Sequence, residues 1–320
     1  MTNDTAPVAP LLPDVEMHLY KPNAPATARI VRSEICTASR KAAGIVRHIE
    51  FDVSGTDLEG RCKPGQSIGI IAPGEDAKGR PHRVRLYSLA SPTKGEDGNG
   101  AILSTTVKRT VDEHWEDHTL FLGVASNYLC DLAEGAEIQV TGPAGKRFIL
   151  PEDPSAHDYV FVATGTGIAP FRGMVRDLID AGCESQVALL MGAPYETDLL
   201  YHDEFTGLAS GYEQFTYHTA LSRQPQPDGG DRMYVHKRLG ADRERLGPML
   251  ESERTLVYVC GIAGMEIGLL QEMARIMPGS SLEQYLHATP EALADIDGWN
   301  RKMLHREIKT TKRVMLEVYA

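Results

Sequence analysis

The chain has 320 residues, of which 42% are apolar and 24% charged, with a formal net charge of −11. That length allows two domains with separate cores, and the composition is that of an ordinary globular protein. The acidic balance argues against general nucleic-acid binding, and no apolar run is long enough to form an integral membrane segment.

Met1 to Pro13 is rich in Ala and Pro and lacks the apolar stretch of a secretory signal. It reads as part of an extended or disordered lead-in over residues 1–25. From about Thr27 to Leu150, short runs of β-formers are separated by Gly, Pro and Asp clusters; Ile45–Val53, Gln66–Ile71 and Ile102–Val107 are examples. Short strands, frequent turns and no long helical pattern predict a closed antiparallel β-barrel over 26–152.

Within that region Arg83–Ser91 alternates charged, aromatic and hydroxyl residues. In a strand, Arg85 and Tyr87 point to one side, Leu86 and Ser88 to the other. A guanidinium can clamp a phosphate, a flat phenol can stack on an aromatic ring, and a hydroxyl can donate or accept near a reactive ring atom. An exposed strand with a surface Arg carries the same pattern. Gly123–Asp131 reads as a glycine turn entering a short helix, with Ser126 near its start, a second candidate anion seat.

After the linker Glu152–His157 the periodicity changes. Strand-like Tyr159–Val162, Val187–Met191, Phe215–Ala220 and Thr255–Val259 alternate with helix-like Phe171–Ala181, Tyr234–Leu250 and Met265–Met277. The alternation predicts an α/β domain with a parallel sheet over 153–320. An amphipathic segment from Pro290 to about Lys309 and a strand-like tail, Val314–Tyr319, follow. The first of these strands leads into Ala163-Thr-Gly-Thr-Gly-Ile-Ala-Pro-Phe-Arg172. Gly165 and Gly167 permit close approach, and the free N–H groups of the next helix offer a seat for a phosphate. A bare strand-to-helix connection has the same form. The turn is not a Walker A loop, because no Gly-Lys-Ser/Thr follows. Open parallel sheets bind ligands at the carboxyl ends of their strands, where Thr164–Gly167, Gly192-Ala193-Pro194, Ser222-Arg223 and Cys260-Gly261 all lie. The five cysteines are scattered, with no Cys-x-x-Cys pair, so no metal site or disulfide framework is expected and a reducing compartment such as the cytoplasm fits.

Taken in order, Arg85-Leu-Tyr-Ser88, Val107-Lys108, Gly123-Val-Ala-Ser126, Thr141-Gly-Pro-Ala-Gly-Lys146, Thr164–Arg172, Ser222-Arg223, Met233-Tyr234, Cys260-Gly261, Gly264-Met-Glu266 and Glu317-Val-Tyr319 resemble plant-type ferredoxin–NADP(+) reductase. The resemblance runs from about Tyr20 to the C-terminus. It implies a flavoprotein oxidoreductase of electron transport, with an FAD-binding barrel followed by an NADP-binding domain. Such an enzyme exchanges hydride between NADP(H) and flavin N5, and single electrons with ferredoxin or flavodoxin through transient electrostatic docking, here expected of a monomer. The NADPH-dependent reductase component of a multicomponent oxygenase shares every one of these motifs and stays open as an alternative.

The resemblance also assigns residues. Arg85 would clamp the FAD pyrophosphate, Tyr87 would stack on the isoalloxazine and Ser88 would sit near N5. Leu86, Thr106, Val107, Lys108, Val124, Ala125 and Ser126 would complete that site. Thr166 would meet the pyrophosphate of the nicotinamide nucleotide, and Ala193, Pro194 and Gly261 would also be cofactor-binding. Ser222, Arg223, Arg232 and Tyr234 would hold the 2′-phosphate; two guanidinium groups and two hydroxyls suit a dianion. The catalytic set would be Ser88, Cys260, Glu317 and Tyr319, with Glu317 also touching the nucleotide and Tyr319 covering the flavin. Departures from the family pattern are Thr106 and Ala125 where Cys is frequent, Ala263 where plant members often have Lys, His236 where Gln is usual, and Ala320 after the aromatic Tyr319.

Overall fold

The computed structural model describes residues 9–37 and 44–319. They form two compact units, one of residues 14–149 with Ala169–Asp177, the other of residues 9–13, 150–168 and 178–319.

The first unit is a six-stranded antiparallel sheet. Its strands are β1 (Ala26–Ile35), β2 (Val46–Asp52), β3 (Ser67–Ile71), β4 (Arg85–Ser88), β5 (Ile102–Lys108) and β8 (Glu137–Ala144), in the order β4-β3-β8-β1-β2-β5. The two edges meet through the bridge Leu89↔Thr105 and the bond from Ala90 N to Ser104 O at 2.8 Å, which closes the sheet into a barrel. In β1, Ala26, Ala28 and Ile30 are buried between exposed Thr27, Arg29 and Val31, the period-2 alternation of a half-buried strand. Those residues join Ile49, Phe51, Ile68, Ile70, Leu103 and Val140 in the core. Between β5 and β8 lie the hairpin β6 (Val111–Glu113) and β7 (Leu120–Leu122), and helix α1 (Val124–Asp131). The segment ahead of β1 runs extended along the barrel, with His18 N donating to Pro143 O (2.8 Å), Tyr20 N to Gly142 O (3.1 Å) and Gln66 Nε2 to Glu16 O (2.9 Å). Residues 1–8 of the predicted lead-in, and Ala320, lie outside the described residues.

The second unit holds a five-stranded parallel sheet of β9 (Asp158–Thr164), β10 (Val187–Ala193), β11 (Phe215–Leu221), β12 (Thr255–Ile262) and β15 (Val314–Tyr319), in the order β11-β10-β9-β12-β15. β13 (Leu286–Ala288) and β14 (Ile308–Thr310) pair separately. β10 is buried along its whole length, as in a parallel strand covered on both faces. Helix α2 (Ala169–Asp180) follows the glycine turn, and α3 (His202–Gly211) follows β10. α3 and the β6–β7 hairpin carry no signal that the sequence reading used.

Two predicted helices come out differently. Tyr234–Leu250 is three pieces, Val235–Lys237, Arg238–Ala241 and Arg243–Glu251. They break at Asp242 (φ −104°, ψ 30°), whose carboxylate sits 2.7 Å from His218 Nδ1. From Pro290 onward the α-helix ends at Ala294, and a single 3-10 turn, Arg301–Met303, follows. There Asp295 accepts from Gly298 N (3.1 Å) and Asn300 from Lys302 N (3.1 Å). Such local side-chain acceptors favour turns over a continuing helix.

Candidate functional site

On the barrel, β4 pairs with β3 so that Tyr87 stands opposite Ile68 and Arg85 opposite Ile70. A Cβ on Gly69 would lie 2.2 Å from Thr141 Oγ1 on β8 and 2.6 Å from Val84 Cγ1 just ahead of β4, so glycine lets both neighbours lie this close. Tyr87 packs half-buried against the barrel core, and burial pushes its phenol up to about 12, so the ring stays neutral. Ser88 is fixed through its carbonyl, which accepts from Thr105 Oγ1 at 2.8 Å. Arg85 is exposed, and among the described residues no ion pair involves it. Leu86 is 61% exposed on the opposite side of the strand.

The other residues assigned to this site divide in two. Thr106 and Val107 are buried in β5, Val107 within the core, which leaves Lys108 as the exposed side chain of that set. In α1, Val124 is exposed while Ala125 and Ser126 are buried. Ser126 Oγ donates to Gly123 O (3.1 Å) and accepts from Thr110 N (3.2 Å), so the hydroxyl fastens the turn. The first N–H groups of α1 then remain for a ligand, because a helix start has no intrahelical acceptors for them and no side chain caps this one. Leu120, Phe121 and Leu122 of β7 and Trp115 are exposed apolar groups in the same unit. An exposed guanidinium, a neutral aromatic ring, open N–H groups and exposed apolar surface fit an amphiphile with a flat ring system and a pyrophosphate.

In the parallel sheet the strand register aligns the chemistry-bearing residues. Cys260 is level with Ala163 on one side and Glu317 on the other, Thr164 with Gly192, Ala193 with Leu221, and Ile262 with Tyr319. All the strands run in one direction, so these carboxyl ends share one edge. The glycine turn, Gly165–Ile168, starts with Gly165 at φ +53°. A Cβ on Gly167 would lie 2.2 Å from Cys260 O, and one on Gly261 would lie 2.2 Å from Thr164 Oγ1. The two glycines therefore let the turn after β9 and the end of β12 interlock. Thr164 Oγ1 accepts from Ile262 N at 3.1 Å, and Thr166 Oγ1 is 2.7 Å from the Tyr319 hydroxyl.

Level residues on neighbouring strands project to the same face, which puts Cys260 beside Glu317. Cys260 is fully buried; burial first, and then the Glu317 charge, push its thiol far above the ordinary range. Burial pushes Glu317 up to about 7. The Tyr319 phenol is also raised, chiefly by burial.

Past β10 and β11 a second cluster forms. Ser222 N donates to Ala193 O (3.0 Å) and Arg223 N to Pro194 O (2.9 Å), so the assigned Ala193 and Pro194 carbonyls hold the start of the loop. Met233 N donates to Leu221 O (2.8 Å), which lays Arg232 and Tyr234 alongside Ser222. Buried Gln226 braces the loop from inside: Leu221 N donates to its Oε1 (3.0 Å), and its Nε2 donates to Leu221 O (2.9 Å) and Asp231 O (3.1 Å). Arg223 and Arg232 are exposed, and among the described residues neither is in an ion pair. Tyr234, 70% exposed, stacks on His236 with centroids 6.0 Å apart and planes at 16°. The structural roles of Gln226 and of His236 as a backing ring were not read from the sequence; each depends on a fold-back that no spacing rule encodes.

The chain is similar to proteins of known kind. The family described as "Oxidoreductase NAD-binding domain" matches residues 161–269. Ferredoxin–NADP reductase of Thermosynechococcus vestitus is 36% identical over 296 residues, covering 90% of this chain and 75% of that protein. The chloroplastic leaf-type isozyme of Nicotiana tabacum is 34% identical over 311 residues, covering 95% and 80%. Among solved structures, ferredoxin–NADP+ reductase from Plasmodium falciparum superposes with a TM-score of 0.69 at 20% identity, covering 94% of this chain and 98% of that one, which speaks for the fold. The same Plasmodium protein solved with 2′P-AMP gives 0.67.

Proposed function

The chain belongs to the ferredoxin–NADP reductase family, and we propose that it works as an FAD-dependent ferredoxin (or flavodoxin)–NADP(+) oxidoreductase. Arg85, Leu86, Tyr87, Ser88, Lys108 and the start of α1 would hold FAD on the barrel. When bound, FAD supplies the conversion between a two-electron hydride donor and one-electron carriers. Reducing one NADP+ to NADPH takes two electrons from two carrier molecules and one proton from solvent.

The chain's own residues prepare the substrate side of that balance. Thr166 and the turn N–H groups would bind the nucleotide pyrophosphate, and Ser222, Arg223, Arg232 and Tyr234 the 2′-phosphate. Burial pushes the Glu317 carboxyl up to about 7, so near neutral pH it would serve to relay a proton. Buried, un-ionised Cys260 presents a small, uncharged wall that excludes water without reacting.

The observation that carries this reading is the level placement of Cys260 and Glu317 at the sheet edge where the glycine turn also lies. Two exposed guanidinium groups, in place of the acidic residue typical of NAD sites, favour NADP over NAD. Docking to the carrier is proposed to be transient and electrostatic, with the chain acting as a monomer. The five free cysteines support a reducing compartment, for which the cytoplasm is proposed. Among the described residues no helix is long and apolar enough to cross a membrane.

The test is the purified protein itself. It should carry a flavin absorbance that NADPH bleaches far faster than NADH, and should reduce cytochrome c through added ferredoxin. Bleaching by NADH at an equal rate would remove the 2′-phosphate assignment. Cytochrome c reduction that responds to an oxygenase component and not to ferredoxin or flavodoxin would favour the oxygenase-reductase alternative.

A further inference from the structure

Arg172 closes the glycine-turn motif, yet nothing in the chemistry above uses it. It is 6% exposed. Its guanidinium makes a two-pronged contact with the Glu96 carboxylate, Nη1 to Oε1 at 2.5 Å and Nη2 to Oε2 at 3.2 Å, and Nη1 also donates to Ala90 O at 3.1 Å. Ala90 lies two residues beyond Ser88, the end of β4. The contacts continue along α2 at helical spacing. Gly173 approaches Ser91 so closely that a Cβ would lie 2.4 Å from Ser91 O. Arg176 Nη1 is 3.8 Å from Glu96 Oε2. Asp177 accepts from Thr93 N at 2.8 Å and from Thr93 Oγ1 at 2.6 Å. One stripe of α2, at positions 172, 173, 176 and 177, thus grips residues 90–96.

Glu96 is itself held on its other side. Ser104 Oγ donates to it at 2.7 Å, and His48 Nε2 lies 3.9 Å from it and 3.3 Å from Glu50 Oε1. His48, Glu50 and Glu96 bring three potential metal-ligand atoms together. Arg172 on Glu96 and Arg32 on Glu50 (3.2 Å) already neutralise both carboxylates, and a divalent cation among those guanidinium groups would be repelled. The cluster is therefore a clamp. Burial raises the Glu96 carboxyl, but its bonds from Arg172 and Ser104 and the nearby charges outweigh this and hold it below the usual range, so it stays ionised. A buried ion pair of this kind contributes little net stability, while removal of one partner leaves an uncompensated charge, so geometry is what such a pair fixes best.

We infer that Arg172 and Glu96 are positioning residues for nucleotide binding. They fix the first turn of α2 on residues 90–96, and with it the backbone N–H groups at the helix start that follow the glycine turn in sequence. The inference rests on the reading of Gly165–Ile168 as the nucleotide turn. It makes the pair act on NADP(H) binding through backbone position, without contact to the nucleotide.

The experiment uses the full chain loaded with FAD, and variants Arg172→Lys, Glu96→Gln, their double, and the milder Thr93→Val. Bound FAD, Tm, and the KM and kcat for NADPH with ferricyanide as acceptor are measured. Arg172→Lys and Glu96→Gln should each raise the NADPH KM about tenfold at near-normal kcat and full FAD content. The double variant should be no worse than the worse single, because the two act as one unit. Thr93→Val should move KM in the same direction by about threefold, and it decides the matter where the charge variants fail to retain FAD. A lower Tm with an unchanged NADPH KM in every variant that retains FAD would reduce the cluster to a structural brace and overturn the inference. So would multiplicative effects in the double variant. Failure of the reading beneath it looks different, since the unaltered protein would then show no NADPH-dependent ferricyanide reduction at all.

Discussion

Thr166 Oγ1 and the Tyr319 hydroxyl lie 2.7 Å apart, joining the glycine turn to the last strand of the sheet. The hydroxyl proposed to meet the nucleotide pyrophosphate is thus engaged by the chain's own tail. With Thr166 as the donor in that bond, the proposed contact to the pyrophosphate has to break it. Tyr319→Phe removes the competitor and keeps the ring, so NADP+ should bind more tightly by about 1 kcal/mol, a several-fold drop in Kd. Titration of the flavin difference spectrum measures this. An unchanged Kd would mean that Thr166 does not serve the pyrophosphate.

Glu317 gives a pH signature whose sign is fixed by its cause. Burial raises its carboxyl from the ordinary value of 4.5 to about 7 in the folded chain. The protonated form therefore supports folding fully below pH 4.5, and that support is lost as pH rises through about 7. Above that, a buried carboxylate costs at most about 3 kcal/mol. Glu317→Gln should melt higher than the parent at pH 8 and alike at pH 4.5, where both carry a neutral side chain. The same variant should flatten any limb of kcat near pH 7. A Tm difference independent of pH would show that the group titrates elsewhere.

Much of this site is legible in the sequence because its local devices are short-range. Gly165 at positive φ and the period-2 run Arg85–Ser88 are written into neighbouring residues, and the strand ends of a parallel sheet fall where the apolar runs stop. What the sequence could not give is register. That Cys260 stands level with Glu317, 57 positions on, follows from how β12 and β15 pair, and nothing local encodes that offset. Ser126 shows the opposite failure. Its position after a glycine suggests an anion contact, yet its hydroxyl is used up by Gly123 O and Thr110 N. The break at Asp242 arises the same way, from His218 on a strand 24 residues earlier. Local pattern names the donors; only the fold decides which are already taken.

Arg223 should set the choice of nucleotide. It is exposed, in no ion pair among the described residues, and follows β11 at the binding edge. Arg223→Ala should raise the NADPH KM roughly ten- to a hundredfold, the loss of one charge-assisted phosphate contact, and leave the NADH KM unaltered. Equal losses with both nucleotides would place Arg223 on a group the two share, the pyrophosphate, and remove it from the 2′-phosphate.

His236 backs Tyr234 and stands where the family pattern has Gln. Burial lowers its pKa below the ordinary value of 6.5; Lys237 and Arg275 lower it further, and Glu272 opposes them. At neutral pH the free protein therefore holds an uncharged ring. A dianionic 2′-phosphate nearby favours the imidazolium, so NADP+ binding takes up a proton and tightens as pH falls from about 7 toward 5.5. The phosphate's own titration near pH 6 works against this by reducing its charge. That effect is common to parent and variant, so the informative quantity is the ratio of their affinities. In His236→Gln the ratio should move steadily toward the parent with acidification, by about three- to tenfold. Parallel pH profiles for the two proteins would confine His236 to its packing role beneath Tyr234, against Gly268.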